Sequence, residues 1–162
     1  MRRKLITTVP VVALAVVVSA TVALGSSEQT QSPHAATKTV QVSTRSIANL
    51  GRVLVNSRGL TLYMFVPDQR RHVTCISTCA RVWPPLGLAA GAKLVAAGGV
   101  KQGLLGSDPN PAGGRVVTYN RWPLYTYLPD TKPGQAKGQR VNNSGGKWYV
   151  LSPSGAVITK KN

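Results

Sequence analysis

His72-x-x-Cys75-x-x-x-Cys79, with Met64 just upstream, puts an imidazole, two sulfurs and a thioether into one short stretch. That donor set suits Cu(I) or zinc. The same cysteines also suit a disulfide. In an extended strand, Cα atoms four residues apart lie ~13 Å from each other, too far for a bridge. On a helical turn they lie ~6 Å apart, within range. The segment is therefore expected to be turned or helical, ended by Trp83-Pro84-Pro85. In an oxidising compartment the disulfide is the default, and so small a loop pins local shape more than global stability. The other histidine, His34, sits in a polar stretch with no partner motif.

The second set of candidates is acidic. Past Glu28 the only acids are Asp68, Asp108 and Asp130. Two of these close copies of one phrase: Leu62-Tyr63-Met64-Phe65-Val66-Pro67-Asp68 and Leu124-Tyr125-Thr126-Tyr127-Leu128-Pro129-Asp130. Paired carboxylates beside tyrosines could hold a cation or do acid–base work. They could equally accept backbone N–H groups in a turn, or pair with arginine. Strand parity favours the structural reading. Alternate residues face opposite sides, so Tyr63 and Phe65 share one face and Leu62, Met64 and Val66 the other. Tyr125 and Tyr127 repeat this against Leu124, Thr126 and Leu128. Proline lacks an N–H and ends each ladder, leaving each aspartate where a turn needs an acceptor. Tyr63, Phe65, Asp68, Tyr125, Tyr127 and Asp130 are thus read as a structural motif. No Gly-x-Ser-x-Gly elbow, paired-histidine motif or Gly-rich phosphate loop is present, so no catalytic residue is assigned.

The elements that carry these residues are short and β-rich. Arg52–Asn56 and Leu60–Phe65 flank a glycine-containing turn, as a hairpin would. Arg115–Tyr119, the turn after it and the second phrase do the same. Each hairpin is followed by a variable loop and a Trp segment, Trp83-Pro84-Pro85-Leu86 or Trp148-Tyr149-Val150-Leu151. Ala92-Lys93-Leu94-Val95 is a short candidate strand. Leu104-Leu105-Gly106 should pair with the Arg115 strand across a Gly/Pro-rich turn. Ser152-Pro153-Ser154-Gly155 turns the chain, and Ala156-Val157-Ile158 closes the domain. Outside the leader no long 3.6-residue period appears. The expected fold is all-β: one domain of two related hairpin-based units, with one short helical turn near the cysteine pair.

Ahead of this lies an export signal. Met1-Arg2-Arg3-Lys4 is a basic start, residues 5–24 are largely apolar, and Ala23 and Gly25 are small. Residues 1–25 read as a signal peptide or an uncleaved anchor, since ~20 apolar residues also span a bilayer. Residues 26–46 read as a polar tether and 47–162 as the β domain, with unit one about 50–88 and unit two about 103–158. Without Arg2, Arg3 and Lys4 the chain has 17 Lys+Arg against 4 Asp+Glu, or +13. Such charge favours anionic surfaces. For an exported chain that points to envelope polymers or membrane headgroups and away from nucleic acid. Lys147-Trp148-Tyr149 interleaves bases with aromatics as single-strand binders do, but its place in the repeat argues for packing.

These motifs together resemble a bacterial secreted-repeat family of predicted lipoproteins carrying a duplicated Tyr-x-aromatic-x-x-Asp motif. Tyr63/Phe65/Asp68 and Tyr125/Tyr127/Asp130 satisfy it. Cys75-x3-Cys79-x3-Trp83-Pro84-Pro85-Leu86, Val117-Thr118-Tyr119-Asn120 and Gly145-Gly146-Lys147-Trp148-Tyr149-Val150 follow the same pattern. The resemblance implies an exported envelope protein whose family function is not established. The chain lacks the lipid-attachment cysteine that many members carry. The expectation is a non-enzymatic cell-envelope or extracellular protein, structural or ligand-binding, needing no cofactor. The alternative is a copper, zinc or redox accessory protein using Met64, His72, Cys75 and Cys79.

Overall fold

The computed structural model describes residues 38–69 and 72–162. The expected signal segment or anchor, His34 and the tether up to residue 37 lie outside the described residues.

The chain forms eleven short strands and one short helix among the described residues. In order they are β1 (Thr39–Ile47), β2 (Gly51–Asn56), β3 (Tyr63–Phe65), α1 (Thr78–Val82), β4 (Gly87–Leu88) and β5 (Lys93–Ala96). Then come β6 (Leu105–Pro109), β7 (Arg115–Tyr119), β8 (Trp122–Pro123), β9 (Asn142–Asn143), β10 (Gly146–Leu151) and β11 (Val157–Ile158). The fold is all-β, with its helix beside the cysteine pair.

The strands form three small sheets. One has the order β2-β1-β5, the second β11-β10-β3 with β9 on β10, and the third β4-β7-β6 with β8 on β7. Two of these sheets join the repeats by exchange. β10, the Trp segment of repeat two, pairs antiparallel with β3 of repeat one, Trp148 opposite Phe65 and Val150 opposite Tyr63. The Trp segment of repeat one crosses the other way. Its β4 pairs with β7, Leu86 N–H donates to Leu124, and Thr126 N–H donates to Pro84. Between the exchanges, Tyr63 and Tyr125 bond backbone to backbone, N–H to carbonyl in both directions at 2.8 and 2.9 Å. An approximate two-fold axis therefore passes between the two tyrosines.

Parity along β3 sorts side chains into two cores. Tyr63 and Phe65 join a cluster with Ile47, Val53, Cys75, Trp83, Tyr125, Trp148 and Val150. Leu62 and Met64 join another with Val42, Leu54, Val117, Tyr119, Leu124 and Leu151. Covering a strand on both faces removes it wholly from water, so the phrase forms the wall between the cores. In the second copy this ends early, and Leu128 stays 64% exposed.

One sequence boundary needs correcting. Residues 39–46, read above as the end of the tether, form β1. That strand is central, antiparallel to β2 on one side and parallel to β5 on the other. Its Val42 is fully buried. The polar side chains that hid it are used: Thr44 Oγ1 donates to the Gly98 carbonyl and accepts from Arg52. A chain beginning at Lys38 should therefore unfold in urea with a normal cooperative transition. One beginning at Ala48 should show no cooperative transition by tryptophan fluorescence, because β2 and β5 lose their shared partner.

Candidate functional site

Each phrase ends in a one-turn reversal that carries its aspartate inward. Val66–Asp68 is a 3-10 turn with proline in its first positions, and Gln69 follows at φ 46°. The proline fixes φ where the turn needs it and has no N–H to leave unpaired. Asp68 is 0% and Asp130 3% exposed.

Both carboxylates are held in one pattern. Asp68 Oδ1 accepts from Thr74 N at 2.8 Å and from Thr74 Oγ1 at 2.7 Å, within its own loop. Its Oδ2 accepts from the Tyr125 hydroxyl at 2.7 Å, from the other repeat. Asp130 Oδ1 accepts from Lys137 N at 3.0 Å, again within its own loop. Its Oδ2 accepts from the Tyr63 hydroxyl at 2.5 Å, across the axis. Gly138 N–H donates to that hydroxyl at 3.2 Å. So each tyrosine of the motif bonds the aspartate of the other copy.

The second aromatic of each phrase makes the complementary crossing. Phe65 stacks on Trp148 at 4.1 Å between centroids, and Tyr127 stacks on Trp83 at 4.0 Å. The two tryptophans lie on each other at 3.8 Å with planes 1° apart. Phe65, Trp148, Trp83 and Tyr127 thus form one four-ring column through the axis. Tyr63 meets Trp83 edge-on, and Tyr125 meets Trp148 edge-on. Edge-to-face and offset-stacked pairs are each worth about 0.5–1.5 kcal/mol beyond the area they bury.

Electrostatics follow from this burial. Desolvation pushes the Asp68 carboxyl above the usual carboxylate range, against the bonds from Thr74 and Tyr125 that pull it down. Burial, then the hydrogen bond and charge of Asp130, push the Tyr63 hydroxyl far above an ordinary tyrosine. Burial, then the charge and hydrogen bond of Asp68, do the same to Tyr125. Both tyrosines therefore stay neutral donors. The arrangement is a pair of closed hydrogen-bond networks with no room for a substrate between its members.

The metal-type cluster is not assembled. Cys75 and Cys79 form a disulfide with Cα atoms 5.2 Å apart, across the turn that leads into α1. Met64 lies in the core opposite the one that holds Cys75, because strand parity separates it from Tyr63 and Phe65. His72 is exposed. Among the described residues no group of three His, Cys, Asp or Glu side chains gathers where a cation could sit. The reading of Met64, His72, Cys75 and Cys79 as one copper or zinc site is therefore corrected.

Sequence reasoning missed three supports. Thr74 and Gly138 lie in loops of unequal length, which hides their shared task of capping the two Tyr–Asp pairs. Gln139 is 9% exposed; its Oε1 accepts from Val150 N and its Nε2 donates to the Ile158 and Lys160 carbonyls. An amide within a lysine-rich loop gives no signal of such burial.

A family model described as a secreted repeat of unknown function matches residues 44–87 and again 109–152. No curated protein and no solved structure matches the chain.

Removing either hydroxyl should leave a buried carboxylate oxygen unpaired. Tyr63→Phe and Tyr125→Phe are each expected to cost about 1–3 kcal/mol in urea unfolding. Tyr63→Phe should cost more, since it also strands the Gly138 N–H. The raised carboxyl of Asp68 sets a pH dependence. The folded state holds its proton more tightly than the unfolded state. Its contribution to stability is thus complete below the ordinary carboxylate range and lost as pH rises through the raised folded value. Asp68→Asn should remove that slope, so the variant's stability relative to the parent improves from about pH 4 towards neutrality. Unfolding curves across that range check the sign.

Proposed function

Because the chain belongs to the family of secreted repeats of unknown function, two copies of which it carries, we propose that it is an exported protein acting through its surface. Its role is non-enzymatic, structural or ligand-binding, at the cell envelope or outside it, and its partners are anionic polymers or headgroups. The observation that carries this reading is how the fold distributes charge. Every Lys and Arg among the described residues is exposed, while Asp68 and Asp130 are buried. Asp108, the remaining described acid, is half-buried. The folded surface therefore presents cations with almost no carboxylate to neutralise them, and such a surface attracts polyanions over a Debye length, ~8 Å at physiological salt.

The non-enzymatic part rests on the two aspartates. They are the obvious candidates for chemistry, and each is consumed by a loop amide and a tyrosine hydroxyl. Among the described residues no helix is long and apolar enough to cross a membrane.

The protein should be retained on phosphatidylglycerol vesicles or on phosphate-rich wall polymer at low salt and released as salt rises. Neutral phosphatidylcholine vesicles should not hold it. Equal retention on both vesicle types, or none at low salt, would remove the anionic-partner reading.

A further inference from the structure

The duplication creates two equivalent clefts, and only one of them is electrostatically suited to an anion. The first lies on the β1–β2 hairpin, has a volume of about 300 Å³, and is lined by Ser43, Thr44, Arg45, Ser57, Arg58 and Gly59 among others. The second lies on the β6–β7 hairpin, has a volume of about 440 Å³, and is lined by Gly106, Ser107, Asp108, Thr118, Asn120 and Arg121 among others. Strand register relates them residue by residue. Leu62 N–H donates to Leu54 as Leu124 N–H donates to Val117, so Val53 corresponds to Val116. Arg45 lies opposite Val53, and Asp108 lies opposite Val116. Asp108 therefore holds the place of Arg45. Both turns keep an arginine, Arg58 in one and Arg121 in the other.

The first cleft is built to hold its cations in place. Asn56 Oδ1 accepts from Arg58 N and Leu60 N, both at 3.0 Å, which locks the turn. Gly59 takes φ 76°, and a Cβ there would stand 3.5 Å from Arg45 Nη2 and 3.2 Å from Pro133. The Arg45 guanidinium thus lies over the turn that carries Arg58. Pro133 brings the lysine-bearing loop of repeat two onto the same rim, and Thr61 Oγ1 fastens that loop through the Gln135 carbonyl at 2.6 Å. No acid lines this cleft. In the second cleft an acid, Asp108, shares the lining with Arg121, and its Oδ2 is buried without a hydrogen-bond partner.

The geometry points to the β1–β2 cleft as a binding site for a phosphate group, held by the guanidinium groups of Arg45 and Arg58, with the β6–β7 cleft as its silent counterpart. Guanidinium forks match tetrahedral oxyanions by paired, charge-assisted bonds. The hydroxyls of Ser43 and Ser57 add donors, and the volume leaves room for the group the phosphate is attached to. This inference deepens the anionic-partner reading by naming one site and one headgroup chemistry. A wall-polymer phosphodiester and a lipid phosphate share that chemistry.

The test uses the full chain and side-chain NMR of the arginine Nε–H groups. Titration with inorganic phosphate should shift Arg45 and Arg58 saturably and leave Arg121 unmoved. Arg45→Asp should weaken the fit about tenfold, as expected for the loss of a charge-assisted contact. Arg45 is exposed, so this variant should fold. Asp108→Arg should create a second saturable response at Arg121. Uniform shifts at all exposed arginines, or an unchanged response in Arg45→Asp, would overturn the site. Glycerol phosphate oligomers and phosphatidylglycerol vesicles then separate the two sources by which of them competes with phosphate at Arg45. The two readings fail separately. Retention on anionic surfaces with no saturable, localised phosphate response at Arg45 and Arg58 leaves the surface reading standing and overturns the cleft. Localised phosphate shifts with no retention on any anionic surface do the reverse.

Discussion

Two buried carboxylates that can be satisfied only across the repeat boundary hold this structure together. A desolvated carboxylate is costly unless its oxygens accept hydrogen bonds. The loop after each phrase supplies donors to Oδ1 and the tyrosine of the other copy supplies one to Oδ2. Neither repeat can complete its own network. The same holds for the aromatic column, where each phrase's second ring needs the other copy's tryptophan. Because both crossings occur around the Tyr63–Tyr125 backbone pair, folding of one copy presupposes the other. The duplicated sequence therefore encodes one cooperative body, with its two copies interleaved by exchanged strands.

Packing and surface charge are coupled through the same residues. Tertiary structure withdraws two of the three described acids to stabilise the core. What remains outside is a set of lysines and arginines with little to oppose them. An electrostatic property that composition leaves as a sum of +16 over the chain becomes, for the described residues, a property of the surface. The two hairpins then differ where function tolerates difference. Their strands must keep register to build the cores, while the position opposite Val53 or Val116 is Arg45 in one copy and Asp108 in the other.

Much of this was legible from residue order. The period of two along Leu62–Phe65 placed Tyr63 and Phe65 against Met64, and the cores divide on that line. The prolines marked the strand ends. Four-residue spacing of Cys75 and Cys79 demanded a turn, and a disulfide spans it. β1 was not legible, because the Thr, Gln and Ser around its valines look like a linker until β5 is known to lie beside it. The metal reading failed because nearness in sequence says nothing about which face of a strand a side chain takes. Thr74 and Gly138 were hidden by loops of different lengths.

The repeated phrase by itself determined that a tyrosine, a second aromatic and an aspartate would recur in one local geometry, since strand parity and proline are local constraints. Which tyrosine meets which aspartate was decided only in three dimensions. Partnering between residues 57 and 67 positions apart depends on how the two hairpins dock. That docking is set by the summed burial of both cores, and no local rule contains it.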